Sequence, residues 1–372
     1  MRTSWRIGRI FGIEIFIDSS WLIIFALITW SLSSFYFPHY HPGWSVRMYW
    51  LIGVTTSIIF FMSVLIHELA HSLVAKKQGE EVRNITLFIF GGAAQIADEP
   101  DRPSKEFRMA IVGPLTSIAL AVVFGIIWLI AREINQPLAA LTRYVAFINV
   151  MLALFNLLPG FPLDGGRVLR SIVWGATGNF RRATRIATWA GQVLAFIFIV
   201  WGIIQVFAGS FIGGLWIAFI GWFLHSAASR SYHQVFLREM LRGVRAKDLM
   251  TTDFKTVTGN MSVQKLIDEY VLHHAGHAFL VAENGHIEGI VCLEDIKVVP
   301  QEKRATTLVR EVMTRKEELA TAAPEEDGNV ILSRLGSRDV GQLPVIERGQ
   351  VIGILCRSDI LRNLQLRTEL GI

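Results

Sequence analysis

The chain has 372 residues, 52% of them hydrophobic and only 18% charged, with a mean hydropathy of +0.43; this excludes a disordered chain and argues against an ordinary soluble enzyme. Its net charge of +5 comes from residues 1–228, which hold 17 basic and 11 acidic side chains against 19 and 20 in residues 229–372, and no dense basic cluster suits a nucleic-acid partner. All eleven Trp and 21 of the 24 Phe precede Ser229, so the first part is composed for lipid and the second for water.

The first 18 residues form a polar lead with Arg2, Arg6 and Arg9, without the pattern of a cleaved signal peptide. Stretches free of Asp, Glu, Lys and Arg then mark the spans: 19–46, 48–66 (continuing through His67 to Ala75), 109–131, 144–163 and 186–229. The last is long enough for two helices turning at Gly209-Ser210, which makes six spans. Lys and Arg between the spans number three, one, six, two, five and none in order. That alternation puts both termini in the cytoplasm of a multi-pass plasma-membrane protein.

The second span carries His67-Glu68-Leu69-Ala70-His71. Histidines at i and i+4 share a helix face, so both imidazoles reach one ion, with Glu68 beside them to act on its water. In this HExxH zinc-hydrolase pattern the ion acidifies the water, and the carboxylate takes the proton and passes it to the leaving amine. Ionisable groups inside a span cost a few kcal/mol on insertion scales, by about +3 each, so packing alone accounts poorly for them. His67 lies roughly 14 Å from the Lys76 end of its helix at 1.5 Å per residue.

Phe88 to Ile96 follows, and its alternating start and paired glycines, Gly91 and Gly92, read as a strand and turn. The third span holds Gly113-Pro114-Leu115-Thr116-Ser117. The fourth ends in Asn156-Leu157-Leu158-Pro159-Gly160-Phe161-Pro162-Leu163-Asp164-Gly165-Gly166-Arg167, whose prolines and glycines break the helix near its cytoplasmic end. Asp164 reads either as the third metal ligand or as a helix-terminal turn residue. Asn156 reads either as a hydrogen-bond donor to a substrate carbonyl or oxyanion, or as a bond between helices. His225, alone in the last span, reads as a packing residue.

With these motifs in order, the membrane part resembles the site-2 proteases, a family of intramembrane zinc metalloproteases. His67, Glu68 and His71 match the family's HExxH motif, and Asn156 through Gly165 matches its Asn-x-x-Pro…Leu-Asp-Gly motif. The resemblance implies one zinc ion held by His67, His71 and Asp164, with Glu68 as catalytic base and Asn156 as a stabiliser of the reaction centre. It implies that the segment with Gly91 and Gly92 is a membrane-associated hairpin contacting substrate as an added strand. Gly113 to Ser117 resembles the family's Gly-Pro segment, where small residues allow close helix packing. Substrates would then be single-pass membrane proteins, cut within or near their spans in regulated intramembrane proteolysis.

The polar part repeats itself at an offset of 64 residues: Leu280 to Ile296 aligns without gaps on Pro344 to Ile360, each reading strand, Gly-containing turn, strand, helix start. Asp248-Leu249-Met250-Thr251 and Glu311-Val312-Met313-Thr314 open the copies. They resemble a tandem pair of cystathionine-beta-synthase (CBS) motifs, a family whose pairs often bind ATP or another adenosine nucleotide and often associate as homodimers. The resemblance implies Asp295 and Asp359 as ribose ligands. The usual phosphate-contacting Ser or Thr three residues earlier is Cys292 in one copy and Cys356 in the other, and Cys is a weak hydrogen-bond partner. On chemistry alone Asp295 and Asp359 read equally as helix caps. Two cysteines are too few for a disulfide framework, so a reducing compartment is the default for this part.

The expected architecture is thus an α-helical polytopic membrane protein of about six transmembrane helices plus an α/β cytosolic CBS pair. Its segments are a protease domain at 1–229, a linker at 230–243 and CBS motifs at 244–299 and 308–364. A transporter with a CBS pair, and an inactive scaffold that only holds client helices, are the competing readings. Residues 1–228 show no internal repeat of the kind transporters carry, and Glu68 is intact.

Overall fold

The computed structural model describes residues 4–89, 91–96, 100–241, 243–252, 254–273, 278–283, 286–337, 342–356 and 360. The chain divides into two units, Met1–His233 and Gln234–Ile372.

The polar lead of the first unit is a hairpin. Strand β1 (Ser4–Ile10) pairs antiparallel with β2 (Ile13–Asp18) through a turn in which Phe11 and Gly12 both take positive φ. Trp, Ile and Phe alternate with Arg and Glu along these strands, the signal of a strand rather than of a disordered lead. Asp18 then caps α1 (Ser19–Ser31) by accepting from the Ser20 amide at 2.9 Å. A π-helical stretch, Leu32–Tyr36, joins α1 to α2 (Phe37–Tyr40), and the three form one span, Ser19–Tyr40. Ser45 caps α3 (Val46–Lys77), the longest helix among the described residues.

Next come β3 (Val82–Phe88) and β4 (Gly91–Ile96). β3 runs parallel to β2 and β4 antiparallel to β3, giving a four-stranded sheet in the order β1-β2-β3-β4 with β4 at an edge. The paired glycines do not form the turn; they open β4, where Gly91 has φ +126°. Ile13, Ile15 and Ile85 of the sheet pack on Leu65 and Leu69 of α3, so the sheet lies against the helix stretch that carries the HExxH residues.

The remaining helices are α4 (Pro103–Ala131), α5 (Gln136–Asn156), α6 (Asp164–Thr177), α7 (Phe180–Phe207) and α8 (Phe211–Met240). Asn135 and Asn179 cap α5 and α7 through the amides of Leu138 and Arg182. Six helices among the described residues are long and apolar enough to cross a membrane: Ser19–Tyr40, α3, α4, α5, α7 and Phe211–Arg230 of α8. Large apolar side chains such as Leu22, Ile126, Phe196 and Trp201 are exposed along them, as lipid contact requires. The turn at Gly209, with φ +95°, separates the last two.

Several helix boundaries differ from the charge-free stretches: α3 contains Arg47, and α7 starts at Phe180 and contains Arg181, Arg182 and Arg185. α4 starts at Pro103 and carries Lys105, Glu106 and Arg108 in its first turns, and α5 starts at Gln136 and contains Arg143. Charged residues near a helix end reach the interface without ending the helix, so absence of charge marks the apolar core and not the helix. α5 stops at Asn156, and residues 157–163 form an irregular segment before α6.

In the second unit the chain forms α9 (Ala246–Leu249), β5 (Thr256–Val257), α10 (Val263–Leu266), β6 (Ala278–Glu283), β7 (His286–Cys292), α11 (Leu293–Val298), α12 (Val309–Val312), β8 (Thr314–Arg315), α13 (Gly328–Ser337), β9 (Gln342–Glu347) and β10 (Gln350–Cys356). β6-β7 and β9-β10 are the two copies of the repeated hairpin. The opening segments are exchanged. Thr251, from the start of the first copy, exchanges backbone hydrogen bonds of 2.9 and 3.0 Å with Ile354 of the second. Thr314, from the start of the second, pairs with Ile290 of the first. Each copy thus completes the other's sheet, and Leu280 and Ile290 share a buried cluster with Ile354 and Cys356.

Candidate metal centre

One helical turn brings His67 and His71 together on the inner face of α3, 3% and 7% exposed. Their Nε2 atoms lie 3.2 Å apart. Asp164, in the first turn of α6, places Oδ2 3.1 Å from Nε2 of His67 and 3.2 Å from Nε2 of His71. Three donors of this chemistry fit zinc. Zinc bonds of roughly 2.0–2.1 Å at tetrahedral angles hold neighbouring donors about 3.3 Å apart, close to the spacing seen here.

The outer nitrogens are tied down. The backbone carbonyl of Met109 accepts from Nδ1 of His71 at 2.6 Å, which leaves Nε2 of that ring with its lone pair facing the centre. Nδ1 of His67 lies 2.9 Å from the Ser117 hydroxyl. Both partners belong to α4, and so does Gly113. A Cβ at Gly113 would lie 2.1 Å from Nε2 of His71 and 2.7 Å from Nε2 of His67, so only glycine leaves the space in front of the donors open.

Glu68 is half-buried beside the pair. A Cβ on Gly92 would come within 2.4 Å of its Cγ, so the backbone of edge strand β4 runs directly against the carboxylate side chain. Gly91 sits one residue earlier at the start of that strand. Asn156 is the last residue of α5, and its Nδ2 donates to the Leu152 carbonyl of its own helix at 3.0 Å rather than to the donor cluster.

The irregular segment before Asp164 is held by glycines against backbone. Gly166 packs on Gly160, Gly165 on the Leu157 carbonyl, and Gly160 on Gly191 of α7. The Phe161 amide donates to the Ala187 carbonyl at 3.1 Å, fixing the segment to α7. Sequence reasoning missed the Met109 carbonyl, the roles of Ser117 and Gly113 beyond helix packing, and a buried ion pair between Glu106 and Arg170. A backbone carbonyl has no signature in a sequence. Glu106 and Arg170 were visible only as charges near span ends.

In the second unit, the Cys292 thiol donates to Oε1 of Gln342, on the other copy's β9, at 3.0 Å. Asp295 Oδ2 accepts from the Cys292 amide at 2.8 Å, completing a capping box at the start of α11. The position at which the CBS resemblance expects a phosphate contact thus holds, in the first copy, a thiol already engaged with protein. Asp359 lies outside the described residues.

Residues 55–135 and 130–200 match Peptidase family M50, and residues 246–301 and 309–366 match the CBS domain. Rip3 of Mycobacterium tuberculosis is 36% identical over 372 residues, spanning 98% of this chain and 94% of its own. MJ0392, a zinc metalloprotease of Methanocaldococcus jannaschii, is 30% identical over 376 residues, 100% of this chain and 99% of its own. A solved site-2 protease from Methanocaldococcus jannaschii covers 61% of this chain and 94% of its own at 28% identity, with a TM-score of 0.43. Homology along almost the whole length, joined to a His, His, Asp cluster inside a helical membrane unit, makes this chain a multi-pass zinc metalloprotease of Peptidase family M50, of the site-2 type, with two C-terminal CBS domains.

Proposed function

We propose that the chain hydrolyses peptide bonds within or beside the transmembrane segments of single-pass membrane proteins, with His67, His71 and Asp164 as zinc ligands and Glu68 as catalytic base. The carrying observation is the juxtaposition of three elements: a buried cluster whose donor atoms all lie within 4.8 Å of one another, Glu68 beside it, and the edge strand β4 against Glu68. Zinc bound there would polarise the scissile carbonyl and acidify the attacking water. Glu68 would serve as the general base for a water held at that site and would pass the proton to the leaving amine.

β4 is an edge strand, so its outer backbone groups are the natural partners of an added strand. A substrate segment that unwinds and pairs there is brought alongside Glu68, with Gly91 and Gly92 leaving room for it. Asn156 reaches a substrate carbonyl by giving up its bond to Leu152, one turn back on its own helix. The Lys and Arg alternation supports cytoplasmic termini and a cytosolic CBS pair, which we read as the regulatory module and as the site of homodimer formation. Adenosine nucleotide is the ligand its family resemblance suggests; the Cys292–Gln342 contact weighs against a phosphate at the first copy. No observation favours the transporter or scaffold reading.

The test is cleavage in liposomes of a panel of single-pass proteins by wild type and Glu68→Gln, with zinc assayed in both and ATP added or withheld. Cleavage by wild type alone, with zinc in both, is expected. Equal cleavage by both would remove Glu68 from the chemistry.

A further inference from the structure

Helix α6 carries more than Asp164. Six residues on, about 9 Å along the axis at 1.5 Å per residue, Arg170 points into the protein and is 2% exposed. Its partner is Glu106 in the first turns of α4, which is 0% exposed. Nε of Arg170 donates to Oε1 of Glu106 at 2.6 Å, and Nη2 donates to the same oxygen. The guanidinium carbon also lies 5.0 Å from the ring centre of Phe161, in the irregular segment, and 4.7 Å from that of Phe180, at the start of α7.

One cation therefore ties together the helix that presents Asp164, the segment that leads into it, and α4. The same α4 holds the outer nitrogens of both histidines through Met109 and Ser117 and clears space before them at Gly113. The two helices that meet at the ion pair are thus those that must agree on the relative placement of aspartate and imidazoles. A buried ion pair is a costly way to hold two helices together, because losing hydration offsets much of the attraction, and apolar replacements are often as stable. What the pair supplies beyond cohesion is direction. Two N–H groups of a planar fork on one oxygen fix rotation and register, which an apolar contact leaves loose.

We propose that Glu106 and Arg170 are positioning residues for the zinc centre: their ion pair sets the register of α6 on α4 and so holds Asp164 Oδ2 at its distance from the two imidazoles. Neither group touches substrate or the reacting atoms. The proposal rests on the reading that His67, His71 and Asp164 hold the zinc.

The test uses the full chain in detergent with Glu106→Gln, Arg170→Lys, the apolar double variant Glu106→Leu/Arg170→Met, and Asp164→Asn. Three quantities are read: the thermal midpoint, zinc affinity by competition with a chelator, and the visible spectrum of the cobalt(II)-substituted protein, which reports coordination geometry. Positioning requires that Glu106→Gln and Arg170→Lys weaken zinc binding at least tenfold and alter the cobalt bands. It further requires that the apolar double variant, compared in zinc-free protein so that metal binding does not itself shift the midpoint, match the wild-type midpoint while its zinc affinity and cobalt spectrum stay altered. A double variant with wild-type midpoint, affinity and spectrum overturns the proposal, because the pair would then be cohesion alone. If the double variant does not fold, Arg170→Lys decides, since it keeps the charge and loses the fork: unchanged affinity and spectrum there overturn the proposal equally. Asp164→Asn separates the underlying reading: wild-type zinc affinity in that variant sinks the ligand assignment itself, and the proposal with it.

Discussion

At the scale of single residues, the proposed roles place metal binding and proton transfer behind two different glycines. Gly113 faces the donor nitrogens and Gly92 faces Glu68. Gly113→Ala puts a methyl group where both Nε2 atoms converge, and the obstacle sits on a helix already packed against α3. That variant is expected to lose zinc, and cleavage with it. Gly92→Ala pushes on the Glu68 side chain and leaves the three donors untouched. It should keep zinc and lose roughly 10²-fold in kcat, the order expected when a reacting group is displaced by about 1 Å. Glu68→Gln keeps the shape and removes the proposed base, so it should keep zinc and lose about 10²–10⁴-fold in cleavage rate. Metal analysis and cleavage assays on the same preparations check all three. A Gly113→Ala protein with full zinc, or a Gly92→Ala protein without it, would contradict this division of labour.

At the scale of elements, the segment between α5 and α6 is built from contacts that leave no room for side chains. A Cβ on Gly191 of α7 would lie 2.1 Å from the Phe161 carbonyl oxygen, and backbone on both sides cannot retreat as a side chain can. Gly191→Ala is therefore expected to cost about 1–3 kcal/mol, the usual penalty of overpacking, read as a lower thermal midpoint in detergent. Because the displaced segment leads into Asp164, the surviving folded fraction should also bind zinc more weakly. Much of this level was legible in the sequence. Five runs without charge, the last long enough for two helices, marked the six spanning helices, since charge is what a bilayer core excludes, and the Pro-Gly density of residues 157–166 marked the break after α5. What escaped were helix ends, because Lys105, Glu106, Arg108 and Arg143 extend helices past the apolar core, and the β1–β2 hairpin, whose alternating apolar residues sit among the arginines of the lead. The HExxH face was readable because i and i+4 are neighbours on any helix. The carbonyl and hydroxyl that orient its rings come from α4, about forty and fifty residues away, which spacing does not encode.

At the scale of the whole molecule, a membrane metalloprotease unit is joined to a repeat of water-soluble composition, and the repeat works only as a pair. The offset of 64 residues was readable; the exchange of opening segments was not, because the bonds of Thr251 with Ile354 and of Thr314 with Ile290 lie between backbones. This exchange bears on ligand sensing. The Cys292 thiol reaches across the copies to Gln342, so the position where a hydroxyl would meet phosphate serves to join the two halves instead. A serine hydroxyl is the stronger donor and acceptor, and its shorter bond to carbon leaves it farther from Gln342 and freer to meet a phosphate. Cys292→Ser is therefore expected to raise ATP affinity. A ligand that binds only the folded form stabilises it by about 2.7 kcal/mol at a hundred times its Kd, so the effect is measurable as a thermal shift. With ATP, the midpoint of the CBS transition should rise more in Cys292→Ser than in wild type, whereas zinc chelation should lower the midpoint of the membrane unit and leave that of the CBS pair in place. Equal ATP shifts in the two proteins would mean that the Cys292 thiol is no obstacle to nucleotide binding.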